Sequence, residues 1–127
     1  MRVDTNLNDV KEYIEPGWYP VRITDGDLRT TKDGESQYVA WELEVFDSED
    51  PEANDEKLWL NTSLKASALG MLKRFLETAA VDGEPIGWNE DGSFNTEDAM
   101  GAILEVQVEV TEWQGRPQNN VRNWRTY

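Results

Sequence analysis

Cationic and aromatic side chains are concentrated over residues 113–127, in a chain that is otherwise strongly acidic. The stretch contains Trp113, Arg116, Arg122, Trp124 and Arg125. Guanidinium groups pair with phosphates, and the flat face of a tryptophan can stack on any nucleobase. This combination is typical of a surface that holds single-stranded nucleic acid. The turn residues Gly115 and Pro117 predict a hairpin that brings these side chains together.

Further side chains of the same two kinds lie earlier in the chain. The additional cations are Arg22, Arg29 and Lys32. The additional rings, on strand faces predicted to be exposed, are those of Trp18, Tyr38 and Trp59. The alternation of the same strands predicts that Trp41 is a core residue. Glu42 and Glu44 share the predicted outer face with Tyr38 and are expected to repel phosphate.

The formal net charge of −14 is unevenly distributed. Residues 47–56 and residues 82–98 each contain six acidic residues and no Lys or Arg, whereas the last twelve residues carry +3. A net charge of this sign opposes binding to phosphates, but its distribution leaves a basic terminus free for that role. The acidic segments either keep the protein soluble, recruit a basic partner or mimic a nucleic acid.

The composition excludes several kinds of catalysis. The chain has no cysteine and no histidine, so disulfides, imidazole-dependent triads and most zinc sites are excluded. The acids of residues 47–56 lack the glycine and terminal glutamate of an EF-hand loop, and no glycine-rich phosphate loop is present. The sequence therefore predicts a protein that is not an enzyme and that has no cofactor and no metal site.

The spacing of apolar residues along the chain predicts the strands and the helix that position these side chains. Alternating patterns predict strands over residues 18–24, 38–46, 57–62 and 102–111, and a further strand through Val121 and Trp124. Residues 63–80 instead repeat their apolar residues every three or four positions, which predicts a helix with Ser63 as its N-cap. Residues 81–100 are predicted to be irregular, with one helical turn near residues 96–100 capped by Asn95 or Thr96.

This order of elements predicts a mainly β fold: a five-stranded, OB-fold-like Greek-key barrel with one α-helix between strands three and four. An α+β sheet with a helix across it is the alternative. Residues 17–127 form the single domain, and residues 1–16 form an N-terminal arm, with helical spacing at Val10, Tyr13 and Ile14. In an OB-fold the loops after strands one and four flank the ligand groove, and here those loops carry Arg29, Lys32 and Arg116.

Several segments resemble a family of small phage proteins described as single-stranded-DNA-binding-like. The segments are GWYPVRI, TKDGES, YVAWELEVFD and ALGMLKRFLETA, together with Met100-Gly101 and Asn120-Val121. The resemblance covers most of the chain from about Gly17. It implies an OB-fold and a role in phage DNA replication or recombination.

We therefore expect a non-catalytic single-stranded DNA-binding protein that acts in the cytoplasm of a bacterial host. Its expected partners are single-stranded DNA and, through the acidic loops, replication or recombination proteins, without a membrane. A homo-oligomer formed through the N-terminal arm is a further expectation. Two other classes stay open. One is an acidic module that binds proteins or mimics a nucleic acid, and the other is a structural or assembly protein.

Overall fold

The computed structural model describes residues 1–5 and 13–127 and shows a mainly β fold with one helix. The elements are β1 (Gly17–Thr30), β2 (Gln37–Val45), β3 (Lys57–Ser63), α1 (Leu69–Thr78), β4 (Ala80–Val81), β5 (Glu84–Pro85), β6 (Ile103–Trp113) and β7 (Arg116–Arg125). Short 3-10 turns occupy Pro51–Ala53, Ala66–Ala68 and Thr96–Ala99. No helix in these described ranges is long and apolar enough to cross a membrane.

The strands pair in the order β3-β2-β1-β6, with β7 on the other side of β6, and every ladder is antiparallel. This order, with α1 between β3 and β6, is that of an OB-like barrel with one helix, so the predicted fold class is confirmed. The outer strands β3 and β7 contact each other, but no backbone ladder joins them in the described part of the chain. The sheet is therefore curved but open between β3 and β7.

The second half of β1 was predicted to be a loop, and this prediction is wrong. β1 continues to Thr30 because its backbone pairs with β2 as far as Gln37, after a shift of register between Ile23 and Asp25. Residues 25–30 contain Leu28 as their single apolar side chain and therefore carry no alternating apolar signal. The turn between β1 and β2 is confined to residues 31–36.

Trp41 lies at the centre of the core and is fully buried, as the alternation of β2 predicts. Its Nε1 donates a hydrogen bond of 2.9 Å to Thr62 Oγ1, and its ring centroid lies 5.1 Å from that of Phe75 on α1. Gly26 of β1 packs directly against the ring, where a Cβ would be 2.7 Å from the nearest ring atom. Only glycine fits this contact without displacing Trp41.

The helix begins later than its apolar pattern predicts. Ser63 is the last residue of β3, and its hydroxyl accepts a hydrogen bond of 3.1 Å from the Lys65 N–H instead of capping α1. The buried side of α1 consists of Leu72, Phe75 and Leu76, which belong to the predicted stripe. Within the region predicted to be irregular, β4 and β5 form a small additional hairpin, while Asn95 caps the predicted helical turn by accepting from the Glu97 N–H.

Ile14, three residues before β1, is attached to the last strand. The Ile14 N–H donates to Asn119 Oδ1 and the Asn119 side-chain amide donates to the Ile14 carbonyl, both at 2.8 Å, and the Ile14 side chain is buried. The Tyr19 hydroxyl donates a third hydrogen bond, of 2.6 Å, to the Glu15 carbonyl. The predicted helical turn through Val10 lies outside the described residues.

The acidic segment of residues 47–56 is held by its own side chains. Asp50 accepts a hydrogen bond from the Glu52 N–H and so caps the 3-10 turn, and Asn54 accepts one from the Ser48 N–H. Over residues 1–5 and 13–127, no group of three or more acidic side chains is arranged to hold a metal ion.

Candidate nucleic-acid interface

The outer face of β1, β2 and β3 carries four predicted site residues among alternating charges: Arg22, Arg29, Tyr38 and Trp59. Cross-strand pairing places Arg22 beside Glu44, and Glu44 beside Lys57. Lys57 Nζ lies 2.9 Å from Glu44 Oε2 and 3.1 Å from Glu42 Oε1, and Arg22 Nε lies 3.8 Å from Glu44 Oε1. The Arg22 guanidinium also stacks over the Phe46 ring at 4.6 Å. The cations in this row are therefore already paired with carboxylates.

The same ion pairs shift the titration of their members. Hydrogen bonding to Glu44, and then to Glu42, raises the pKa of Lys57. Hydrogen bonds from Thr24, and then from Lys57, lower the pKa of Glu42. Both glutamates were predicted to repel phosphate; in the structure they also neutralise the two cations that would attract it. This part of the face is close to electrically balanced.

The far end of this face carries Arg29, Lys32 and Tyr38. Arg29 lies opposite Tyr38 in the β1–β2 ladder, and its Nε is 3.0 Å from Asp27 Oδ2. This hydrogen bond to Asp27 is the main cause of a raised pKa for Arg29. Lys32 is exposed in the turn and forms no ion pair with any described residue. Of these two predicted phosphate ligands, Lys32 is the one that is unpaired.

A groove of about 880 Å³ lies between the beginning of β3 and the tip of the β6–β7 hairpin. Trp59 and Trp113 line it and are 52% and 60% exposed. Arg116 lies opposite Trp113 in the ladder and forms no ion pair within the described ranges. The remaining polar lining consists of the charged residues Glu56 and Lys57 and of four amides: Gln114, Gln118, Asn119 and Asn120. Two exposed indole rings and an unpaired guanidinium thus share one groove.

Local sequence explains why these groups lie at the surface. Leu58 and Leu60 are buried on the inner side of β3, so the alternation directs Trp59 outward, as predicted. Gln114 and Gly115 both have positive φ, 52° and 77°, and form the two-residue turn that joins β6 to β7. This turn holds Trp113 and Arg116 together at the hairpin tip.

Arg122 and Arg125 were predicted to join this cluster, but they lie elsewhere. Arg125 Nε is 3.3 Å from Glu105 Oε1, and its guanidinium stacks at 4.0 Å over the ring of Trp18. Arg122 Nη1 is 3.9 Å from Glu109 Oε2. Glu105 and Glu109 belong to the outer face of β6, and neither these arginines nor Trp18 lines the groove.

The prediction that Trp124 faces outward is wrong. Trp124 is 5% exposed and packs edge to face on Phe75, with ring centroids 5.8 Å apart. Arg74 covers its ring at 4.2 Å. The cause is a bulge: Val108 pairs with Val121 and Gln107 pairs with Asn123, so one residue of β7 is skipped and the alternation reverses. Trp124 is therefore a core residue and not a base-stacking surface.

Sequence reasoning missed Lys57 and the groove amides. Lys57 is the first residue of β3, and a register for the β2–β3 hairpin would have placed it beside Glu44. The amides carry no charge or hydrophobic period that marks them in the sequence. The β6–β7 hairpin turn is what brings these amides beside β3.

No protein-family model and no curated protein sequence matches this chain. The resemblance to phage single-stranded-DNA-binding-like proteins therefore stays a prediction from the sequence.

Proposed function

We propose that this protein binds single-stranded DNA, without catalysing a reaction, in the groove between β3 and the tip of the β6–β7 hairpin. The observation that carries the proposal is the exposure of Trp59 and Trp113, each more than half, to the same groove as the unpaired Arg116. Large apolar rings grouped at a surface mark an interaction site. Rings combined with a cation suit nucleobases joined by phosphates.

The groove residues make different kinds of contact with the strand. The two indole rings stack on bases, which requires no particular base because every base has a π-face. Arg116 contacts a phosphate, and the side-chain amides of Gln114 and Gln118 donate to sugar or base atoms. The amides of Asn119 and Asn120 already donate to Ile14 and Glu109. The carboxylates around Arg22 and Lys57 limit the number of phosphate contacts. The binding is therefore of modest affinity and low sequence preference.

The resemblance found in the sequence supports a setting for this activity. It points to a phage protein that assists DNA replication or recombination in the cytoplasm of a bacterial host. In that setting the protein would cover single strands exposed during synthesis or strand exchange.

The proposal is tested by fluorescence anisotropy with a labelled thirty-nucleotide single strand. Trp59→Ala and Trp113→Ala should each weaken binding by about 1–3 kcal/mol, the usual contribution of one stacked base. Trp88→Ala is the matched control, because Trp88 is 43% exposed but lies outside the groove. Duplex DNA and single-stranded RNA of the same length serve as competitors.

Intrinsic fluorescence gives a second measurement, since the indoles that stack on bases should be quenched when the strand is added. Absence of binding to any of the three nucleic acids would refute the proposal. Equal losses in all three tryptophan variants would show that the groove has no special role.

A further inference from the structure

Asn119 lines the groove that contains Trp59 and Trp113, but its side chain is bonded to a distant part of the chain. Its Oδ1 accepts a hydrogen bond from the Ile14 N–H, and its Nδ2 donates one to the Ile14 carbonyl, both at 2.8 Å. Both polar atoms of the amide are thus engaged by the backbone of a single residue. This arrangement disfavours Asn119 as a direct ligand of DNA and calls for another role.

The partner of Asn119 is itself held firmly against the barrel. The Ile14 side chain is 7% exposed and belongs to the hydrophobic core. The next residue, Glu15, is fixed to β1, because its carbonyl accepts a hydrogen bond of 2.6 Å from the Tyr19 hydroxyl. Tyr19 is also buried. The two hydrogen bonds to Ile14 therefore attach Asn119 to the body of the protein.

The tip of the β6–β7 hairpin has few other attachments. Among the described residues, β6 pairs with β1 only as far as Val108, and no backbone ladder joins β7 to β3. In the same ranges, the other side-chain hydrogen bond and ion pair of residues 109–120 are internal to the hairpin. Arg116 at the tip is three residues from Asn119, which is about 10 Å along a strand. Of the described side-chain hydrogen bonds between the hairpin and the rest of the protein, those of Asn119 are the nearest to the tip.

The two walls of the groove belong to elements that share no ladder in the described part of the chain. Trp59 lies on β3, whereas Trp113 and Arg116 lie at the hairpin tip. The separation of the two indole rings therefore depends on the direction in which the hairpin points. A binding site needs its contacting groups held to within about 0.5 Å by the residues around them. The attachment at Asn119 supplies such a support.

We propose that Asn119 is a positioning residue of this groove. Through Ile14 it holds the hairpin tip, and with it Trp113 and Arg116, at the distance from Trp59 at which one strand contacts both walls. This inference rests on the proposed function and deepens it. It makes the residues just before β1 part of the binding apparatus, although Ile14 and Glu15 do not line the groove.

The test compares two neighbouring asparagines by fluorescence anisotropy with the labelled thirty-mer. Asn119→Ala removes both hydrogen bonds to Ile14. Asn120→Ala is the matched control, because Asn120 lines the same groove but its amide donates within the hairpin, to Glu109 at 3.2 Å. Each substitution is made in the parent and in Trp113→Ala, and circular dichroism selects conditions in which every protein is folded.

We expect Asn119→Ala to bind the strand about tenfold more weakly than the parent, and Asn120→Ala to lose less than about twofold. Trp113→Ala should cost at least about fivefold in the parent. In the Asn119→Ala protein it should cost less than about twofold, because the ring is already displaced from the strand. A purely structural role of Asn119 would lower stability but leave the effect of Trp113→Ala unchanged in folded protein.

A second pair of variants decides the question if Asn119→Ala does not fold. Asn119→Asp keeps the acceptor for the Ile14 N–H and loses the donor to the Ile14 carbonyl. Asn120→Asp adds the same charge to the same groove and leaves the attachment intact. Asn119→Asp should bind the thirty-mer about fivefold more weakly than Asn120→Asp.

Four results would overturn this inference while leaving the DNA-binding groove in place. They are parent-like binding by folded Asn119→Ala, equal losses in the two alanine variants, an equal cost of Trp113→Ala in both backgrounds, and equal binding by the two aspartate variants. Absence of binding by the parent is a different result, because it refutes the proposed function and the positioning role together.

Discussion

Replacing Glu42 and Glu44 with glutamine should release two cations on the outer face of β1, β2 and β3 for binding to phosphate. Lys57 contacts both carboxylates, at 3.1 and 2.9 Å, and Arg22 contacts Glu44 at 3.8 Å. Glutamine keeps an acceptor for the hydrogen bond from Thr24 to Glu42. The substitutions therefore remove charge while changing little of the packing.

The magnitude follows from the number of free cations. For single strands, log K falls by about 0.7 per log unit of salt for each phosphate contact. Among the predicted site cations, Lys32 and Arg116 form no ion pair with a described residue, so the parent should show a slope of about −1.4. The double variant, with four contacts, should show a slope of about −2.8. If parent and variant bind equally at 1 M salt, this difference in slope makes the variant bind roughly 25-fold more tightly at 0.1 M salt.

A matched control separates location from total charge. Glu105→Gln with Glu109→Gln removes the same two charges and releases Arg125 and Arg122, which lie on the outer face of β6 and β7. Its slope should stay near −1.4 if phosphates follow the face of β1 to β3. Anisotropy titrations of the labelled thirty-mer at five or more salt concentrations, about 0.05–0.5 M, measure all three slopes over the range where salt dependence is strong.

Two results would refute this reasoning. A parent slope near −2.8 would mean that the ion pairs open on binding and do not limit affinity. Equal slopes for the two double variants would mean that only the net charge of the protein matters and that the face of β1, β2 and β3 has no special role.

Three further predictions concern the fold. Gly26→Ala should lower the free energy of unfolding in urea by about 1–3 kcal/mol, because its Cβ would lie 2.7 Å from the ring of Trp41. That ring is held in place by its hydrogen bond to Thr62. Trp124→Ala should lower it by about 3–5 kcal/mol through loss of a buried ring and leave the affinity of the remaining folded protein for DNA unchanged. The pKa of Glu42 is lowered in the folded protein, so its stabilising effect is present above its usual value of 4.5 and is lost as the pH falls. Glu42→Gln should therefore flatten the decrease of Tm below about pH 4.5.

Each of these predictions has a contrary result. Parent-like unfolding of Gly26→Ala would show that Trp41 can move aside. Weaker DNA binding by folded Trp124→Ala would restore Trp124 to the binding surface. If Tm decreases equally at low pH in Glu42→Gln and in the parent, other carboxylates cause the loss of stability.

The principal strands were predictable because their signal is local. Along β2 and β6, residues such as Val39, Leu43, Leu104 and Val106 alternate with polar ones, and all four are buried. The OB-like order followed from the number of strands and the position of the helix. The second half of β1 carried no such signal, because its residues are stabilised by pairing with β2 and not by burial of one face.

The candidate site was predictable in residue type but not in arrangement. The alternation of β3 correctly directed Trp59 outward, whereas one skipped residue in β7 reversed the direction of Trp124. Which cations stay free depends on the register between strands, which sets Arg125 beside Glu105. Neither a bulge nor a register is encoded in a short pattern of residue types.

The attachment of Ile14 to Asn119 has a consequence for how this protein reaches its fold. The two residues are 105 positions apart, and β1 pairs with β6, whose residues follow their partners in β1 by 81–91 positions. Folds dominated by such distant contacts form slowly. At about 5–20 residues per second, a ribosome needs roughly 3–12 s to proceed from the end of β3 to Val121. During that interval the apolar sides of β1, β2 and β3 lack their final cover, and the acidic residues 47–56 are already present to oppose association between nascent chains.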